Sequence, residues 1–199
     1  MKKLALALAL ASCVAVVFLL SGCKDAAAPA AVPKAAATVA SIDMIAAEAT
    51  GITVGSAMSA RTVYVFFDPQ CRHCAMLWQA AKPLKSQAKF VWIPVKLMGE
   101  TSLNQGAALL KAKDPVQAMD EHETAMAAGD KNAGLTAPDS DAQKQSVSSN
   151  TALMTRLRIE SVPAIVAKHA QSQQVVMHQG SLPTAGLAAL LGLQAPAGS

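Results

Sequence analysis

The chain has 199 residues, of which 52% are hydrophobic and 15% charged, enough apolar mass for a sizeable core and a length that suggests one domain. Its formal charge of +4 includes Lys2 and Lys3 at the extreme N-terminus, so the body of the protein is only weakly basic. With no arginine-rich stripe and no basic run with interleaved aromatics, nucleic-acid binding is excluded.

In chain order, Lys2 and Lys3 precede an apolar run from Leu4 to Leu20 that only Ser12 and Cys13 interrupt, the layout of a secretory signal. The run lies near the lower limit of ~17 residues for a spanning helix, so an uncleaved anchor is the alternative. The stretch "LSGC" at Leu20 to Cys23 looks like a bacterial lipobox, whose cysteine is lipidated and becomes the new N-terminus. Residues 1–22 are thus expected to be a lipoprotein signal peptide, with the body exported and held at a membrane. Lys24, not aspartate, follows Cys23, which favours the outer membrane, facing the periplasm. Residues 23–40 are Ala/Pro-rich and read as a tether.

Residues 41–60 are expected to be a linker with a short helix at Ser41 to Ala49, ended by Gly51 and Gly55. "RTVYVFF" (Arg61 to Phe67) predicts a buried strand, "DPQ" breaks it, and "CRHCAMLWQAAKPLKSQ" predicts a helix from the first cysteine, ended or kinked by Pro83. "KFVWIPVKLM" (Lys89 to Met98) predicts the next strand, completing a βαβ unit with parallel pairing. Thr101 to Arg158 reads as successive helices, with a loop through Gly134 and Pro138 and an Asp114–Pro115 helix start. A hairpin (Ala164 to Lys168, Val175 to Gln179) and a last helix (Leu182 to Gly192) complete an α/β domain over 61–199 with a helical insertion at about 101–158.

Two thiols remain in this body, Cys71 and Cys74. An exported protein sits where disulfides persist, so they are expected to pair with each other. A two-residue loop stabilises little, which argues against a structural staple. Haem attachment requires histidine after the second cysteine, and Ala75 stands there. Zinc requires four ligands, and His122, His169 and His178 share no ligand-like spacing. His122, in the charged stretch "MDEHET", reads as a solvated helix residue.

A C-x-x-C between a buried strand and a helix, within a βαβ pattern, reads as a thioredoxin-like redox motif. Cys71 falls at a helix N-terminus, where free N–H groups and the helix dipole favour its thiolate. It is the expected nucleophile, with Cys74 the resolving thiol one turn along. Arg72 and His73, between them, are expected to lower the Cys71 pKa further. In "ESVPAIV", Pro163 is expected to be cis on the strength of the thioredoxin-like reading, because X-Pro is where a cis bond forms cheaply.

With "YVFFDPQCRHCAMLWQAAKPL", "ALLKAKDPVQAM", "ESVPAIV" and "GSLP" in this order, Thr62 to Gly192 resembles the catalytic domain of the DsbC/DsbG family of periplasmic thiol:disulfide interchange proteins. The resemblance implies a thioredoxin-like fold with an inserted helical subdomain, and thiol–disulfide exchange with exported proteins carrying disulfides or oxidised cysteines. It implies no bound cofactor and no metal, and a membrane electron partner of the DsbD or DsbB type. By it, Cys71 attacks, Cys74 resolves, and Val162 and Pro163 bind the substrate backbone. The family's N-terminal dimerisation domain has no counterpart ahead of residue 61, so a monomer is expected. His73 and Val162 are the residues found in the oxidant DsbA, which points toward an oxidising pair. Two other functions compete: a metal-handling lipoprotein using Cys71 and Cys74 with His73 or Met76, and a chaperone-like binding module.

Overall fold

The computed structural model describes residues 42–130, 135 and 140–196. The predicted leader, Cys23, the tether and the loop positions Gly134 and Pro138 lie outside them. Five strands form one sheet: β1 (Ile52–Gly55), β2 (Thr62–Phe67), β3 (Lys89–Pro94), β4 (Ala164–Lys168) and β5 (Val175–Gln179). The order is β1-β3-β2-β4-β5; β2 and β3 are parallel, and every other pair is antiparallel. The helices are α1 (residues 42–48), α2 (Arg72–Ala81), α3 (Glu100–Lys111), α4 (Pro115–Ala127), α5 (Asp141–Arg156) and α6 (Thr184–Leu191).

The alternation of β2 sorts its side chains onto two faces. Val63, Val65 and Phe67 join Phe90 and Trp92 of β3 under α2 and α6, together with Met119 of α4. Phe66 joins Ile93, Ala164 and Val166 on the other face, covered by Ile45 of α1 and by Leu153 and Met154 of α5. The sheet is thus buried on both sides, and the helical insertion contributes to both layers. Pro83 ends α2 as predicted, passing it into a short 3-10 turn over Lys82–Leu84.

The region read as a linker contributes more than a helix. Ile52–Gly55 is an edge strand paired with β3, Ile52 opposite Trp92. Gly51 and Gly55, which the sequence marks as helix terminators, permit close approach to neighbouring backbone. A Cβ on Gly51 would lie 2.7 Å from the Trp92 carbonyl oxygen, and Gly55 has φ +95° with a Cβ position 2.4 Å from the Lys85 carbonyl oxygen. Asn150 of α5 fastens this region down. Its buried amide accepts from Thr50 N (3.0 Å) and donates to the carbonyls of Thr50 (2.8 Å) and Pro94 (3.0 Å). An Arg156–Glu48 ion pair also ties α5 to α1.

Candidate active site

Cys71 is the N-cap residue of α2, with extended backbone and no side-chain cap. The helix starts there because Asp68-Pro69-Gln70 turns the chain out of β2: Cys71 N donates to the Asp68 carbonyl at 2.9 Å, and Cys74 N to the Cys71 carbonyl at 2.9 Å. The side chain of Asp68 is fully buried and accepts three hydrogen bonds. It accepts from Gln70 N (2.8 Å), Ser102 Oγ (2.6 Å) and Met98 N (2.9 Å). The last bond draws residues 95–98, predicted as strand, out of β3 and into the start of α3. Gln70 and Gln105 join at 2.6 Å, and His122 Nε2 lies 2.8 Å from the Pro69 carbonyl oxygen. The inserted helices α3 and α4 therefore hold the loop that presents Cys71.

Opposite Cys71, the Val162–Pro163 peptide is cis. The Cys71 Sγ lies 3.7 Å from the Val162 carbonyl oxygen. Beside this contact a groove of about 520 Å³ is lined by His73, Met76, Val162, Gly180, Leu182 and Pro183, among others. Arg72 and His73 are exposed on the first turn of α2, while Cys74 is fully buried.

The two sulfurs are electrostatically unequal. The Cys71 pKa is lowered from 9.0 to about 6, first by the hydrogen bond from the Cys74 thiol, against the opposing effect of burial, and then by the backbone N–H groups of Cys74 and His73. Burial, first, and the neighbouring Cys71 sulfur push the Cys74 pKa well above 9.0. At neutral pH Cys71 is therefore mostly thiolate, the reactive species, and Cys74 a thiol. His73 contributes to this through its main chain.

A pH profile follows from these shifts. Alkylation of the reduced protein by iodoacetamide should rise with pH and level off with a midpoint near about 6, because only the thiolate reacts. In Cys74→Ala, which lacks the principal donor, the midpoint should move upward; a midpoint near 9 in the unaltered protein would contradict the geometry. The same shift favours the folded dithiol form as pH rises from about 6 toward the unfolded thiol value, and that contribution is lost below about 6.

The expectation that His122 is solvated is corrected by the structure. His122 is only 2% exposed and Glu123 is 0%. Met119, His122, Glu123 and Met126 recur at helical spacing along the face of α4 turned to the core, so the signal lay in the period and not in the charge density. Burial lowers the His122 pKa, leaving a neutral ring. The Glu123 pKa is raised well above 4.5, first by burial and then by the negative charges of Cys71 and Asp68.

A parallel β-α-β core, a dithiol at the start of its helix and a cis-proline against the outer sulfur define a thioredoxin-fold protein of the C-x-x-C class. The chain belongs to the thioredoxin-like domain family, whose model matches residues 52–195. It is 33% identical over 143 residues to the thiol:disulfide interchange protein DsbG of Pseudomonas aeruginosa, an alignment covering 71% of this chain and 55% of that protein. It is 34% identical over 119 residues to DsbG of Escherichia coli, covering 57% and 47%. The chain thus spans about half the length of these curated relatives. Among solved structures, α-DsbA2 of Wolbachia pipientis, described as a thiol-disulfide exchange protein, superposes with a TM-score of 0.62 at 17% identity, covering 81% of this chain and 98% of that one. The catalytic domain of Proteus mirabilis ScsC superposes with a TM-score of 0.58 at 18% identity, covering 79% and 96%. At these identities both attest the fold.

Proposed function

We propose that this chain is a periplasmic thiol–disulfide oxidoreductase that exchanges disulfides with exported proteins, tethered to a membrane through Cys23. The observation that carries this is the Cys71 Sγ set 3.7 Å from the Val162 carbonyl, with the buried Cys74 thiol donating to it from behind. A thiolate presented beside an open groove and a free backbone edge is built to attack the disulfide of an extended polypeptide. Cys71 forms the mixed disulfide, and Cys74 resolves it. Val162 and Pro163 offer their backbone to the substrate strand, and the backbone N–H groups of Cys74 and His73 tune the outer sulfur. A membrane partner of the DsbD or DsbB type resets it.

The test is a glutathione titration of the whole chain, from which the reduction potential assigns the direction. A reversible value near about −120 mV makes the protein a disulfide donor, and one near about −180 mV or below makes it a reductase or isomerase. Failure to find a reversible couple would overturn the proposal. For the anchor, Cys23→Ala should move the protein from outer-membrane vesicles to the soluble periplasmic fraction; an unchanged distribution would rule out lipidation at Cys23.

A further inference from the structure

The end of the sheet away from the cysteines carries charge and apolar surface that the exchange chemistry does not use. β2 and β3 both start there, with Lys89 of β3 beside Thr62 of β2. Val63 stands opposite Ala167 of β4, so Lys168, the next residue of β4, flanks Thr62 from the other side. Lys89 and Lys168 thus lie in one row, two strand spacings or about 10 Å apart, and alternation turns both to the sheet face that α1 covers. Arg61 adjoins them. Its carbonyl accepts from Lys89 N at 2.9 Å, and its side chain lines a cavity of about 190 Å³ with Lys168, Thr62, Tyr64 and Ile42.

Arg61 and Lys168 are exposed and Lys89 is half-buried. Among the described residues none of the three has an ion pair. Burial, first, and then the charge of Asp43 raise the Tyr64 pKa, so this carboxylate of α1 lies close to the cavity and opposes the three cations in part. Lys85 belongs to a different surface, a cavity whose lining also holds Asp120 and Glu121.

An apolar tip stands at the same end. Ser56 N donates to the carbonyls of Lys85 (2.9 Å) and Ala88 (3.2 Å), which fixes the β1–β2 turn beside the start of β3. Met58 in that turn is 96% exposed, and Ala57 and Ala60 are exposed with it. A singly exposed apolar side chain needs no explanation. Met58 among cations has instead the composition of a contact with the interface of a bilayer. Ile42, at the start of α1, lines the cavity with Arg61 and Lys168, so the segment leading from Cys23 meets the fold at this end. The six residues of β2 put it about 20 Å from the end that carries the cysteines.

We propose that this basic end is a docking surface for anionic phospholipid, a role that rests on the membrane tethering proposed above. Arg61, Lys89 and Lys168 contact headgroup phosphates, and Met58 enters between the headgroups. Cys71 is thereby held facing away from the bilayer, toward exported chains. Charge complementarity selects this occupant, because a bilayer offers phosphates spread over an area, as the cations are spread over this end. The tether keeps the domain near that surface, so a weak contact is enough.

The experiment is hydrogen exchange on the full chain reconstituted into vesicles of phosphatidylcholine alone and of phosphatidylcholine with phosphatidylglycerol. Amides of residues 56–61 and 168–174 should be protected by about 10-fold or more in the anionic vesicles, and high salt should abolish the difference. Combined Arg61→Glu and Lys168→Glu should abolish it too, while exchange with oxidised glutathione stays unchanged. Association with both kinds of vesicle, without added protection of these segments, would overturn the docking surface alone. A chain that associates with neither would overturn the tethering, and the docking with it. Equal protection by inorganic phosphate on phosphatidylcholine vesicles would show a free-anion site and overturn the proposal. Protection that appears only with added periplasmic extract would assign the surface to a protein, and overturn it as well.

Discussion

Cys71→Ser is expected to reduce exchange with a test disulfide by about a thousandfold or more, to the level of the uncatalysed reaction. The serine hydroxyl is not ionised by the groups that bring the Cys71 thiol down to about 6, so the N–H groups at the start of α2 would have no anion to favour. The fold should persist, because the exchanged atom lies at the N-cap of α2 and makes no ladder bond. Cys74→Ser should have the opposite phenotype. Attack by Cys71 continues, the adduct is not resolved, and mixed disulfides accumulate that can be isolated to name the substrates. Insulin reduction, together with non-reducing gels of periplasmic extracts, measures both. Full activity in Cys71→Ser would dispose of the exchange function.

Trp92→Ala is expected to have the largest effect on stability, about 3–5 kcal/mol. Trp92 is only 1% exposed, at the centre of β3, opposite Ile52 of β1 and Val65 of β2. Its ring meets Phe67 edge-on at 5.8 Å and Trp78 at 5.1 Å, contacts of about 0.5–1.5 kcal/mol each beyond the area they bury. Trp78 belongs to α2 and donates its indole N–H to Asp120 of α4 at 2.9 Å, and Lys82 pairs with the same carboxylate. One residue therefore joins the sheet to the helix that carries the cysteines, and through it to the insertion. Thermal unfolding should show a fall in Tm of roughly 10 °C or more. A loss below about 1 kcal/mol would mean that the aromatic cluster is not packed as described.

Much of this architecture is legible locally. The strand–helix–strand unit follows from the β-branched run before Cys71, the "DPQ" break and the apolar run after Lys89. The hairpin strands occupy the ranges predicted for them, Ala164–Lys168 and Val175–Gln179. The Asp114–Pro115 start is realised as a cap, with Asp114 Oδ1 accepting from Gln117 N at 3.0 Å. These signals work because caps, turns and periodicity depend on residues within a few positions of each other.

What escaped depended on partners far along the chain. β1 has four residues, begins directly after Gly51 and ends on Gly55, and its pairing with β3 shows only when Trp92 stands opposite Ile52. The ring of His122 meets the Pro69 carbonyl across a separation of 53 residues, and the charged look of "MDEHET" hides that contact. The sequence by itself determined the fold class, the two thiols that can meet and the end of the helix on which they lie, because neighbouring side chains and backbone dictate each of these. The tertiary structure alone decided which groups set the chemistry. The Cys74 thiol and two backbone N–H groups lower the Cys71 pKa while the side chains of Arg72 and His73 stay exposed. Glu123 is buried on the core-facing side of an inserted helix, where the charged look of the local sequence does not place it. Burial and charge proximity are properties of packed segments, and packing brings together residues that no local pattern connects.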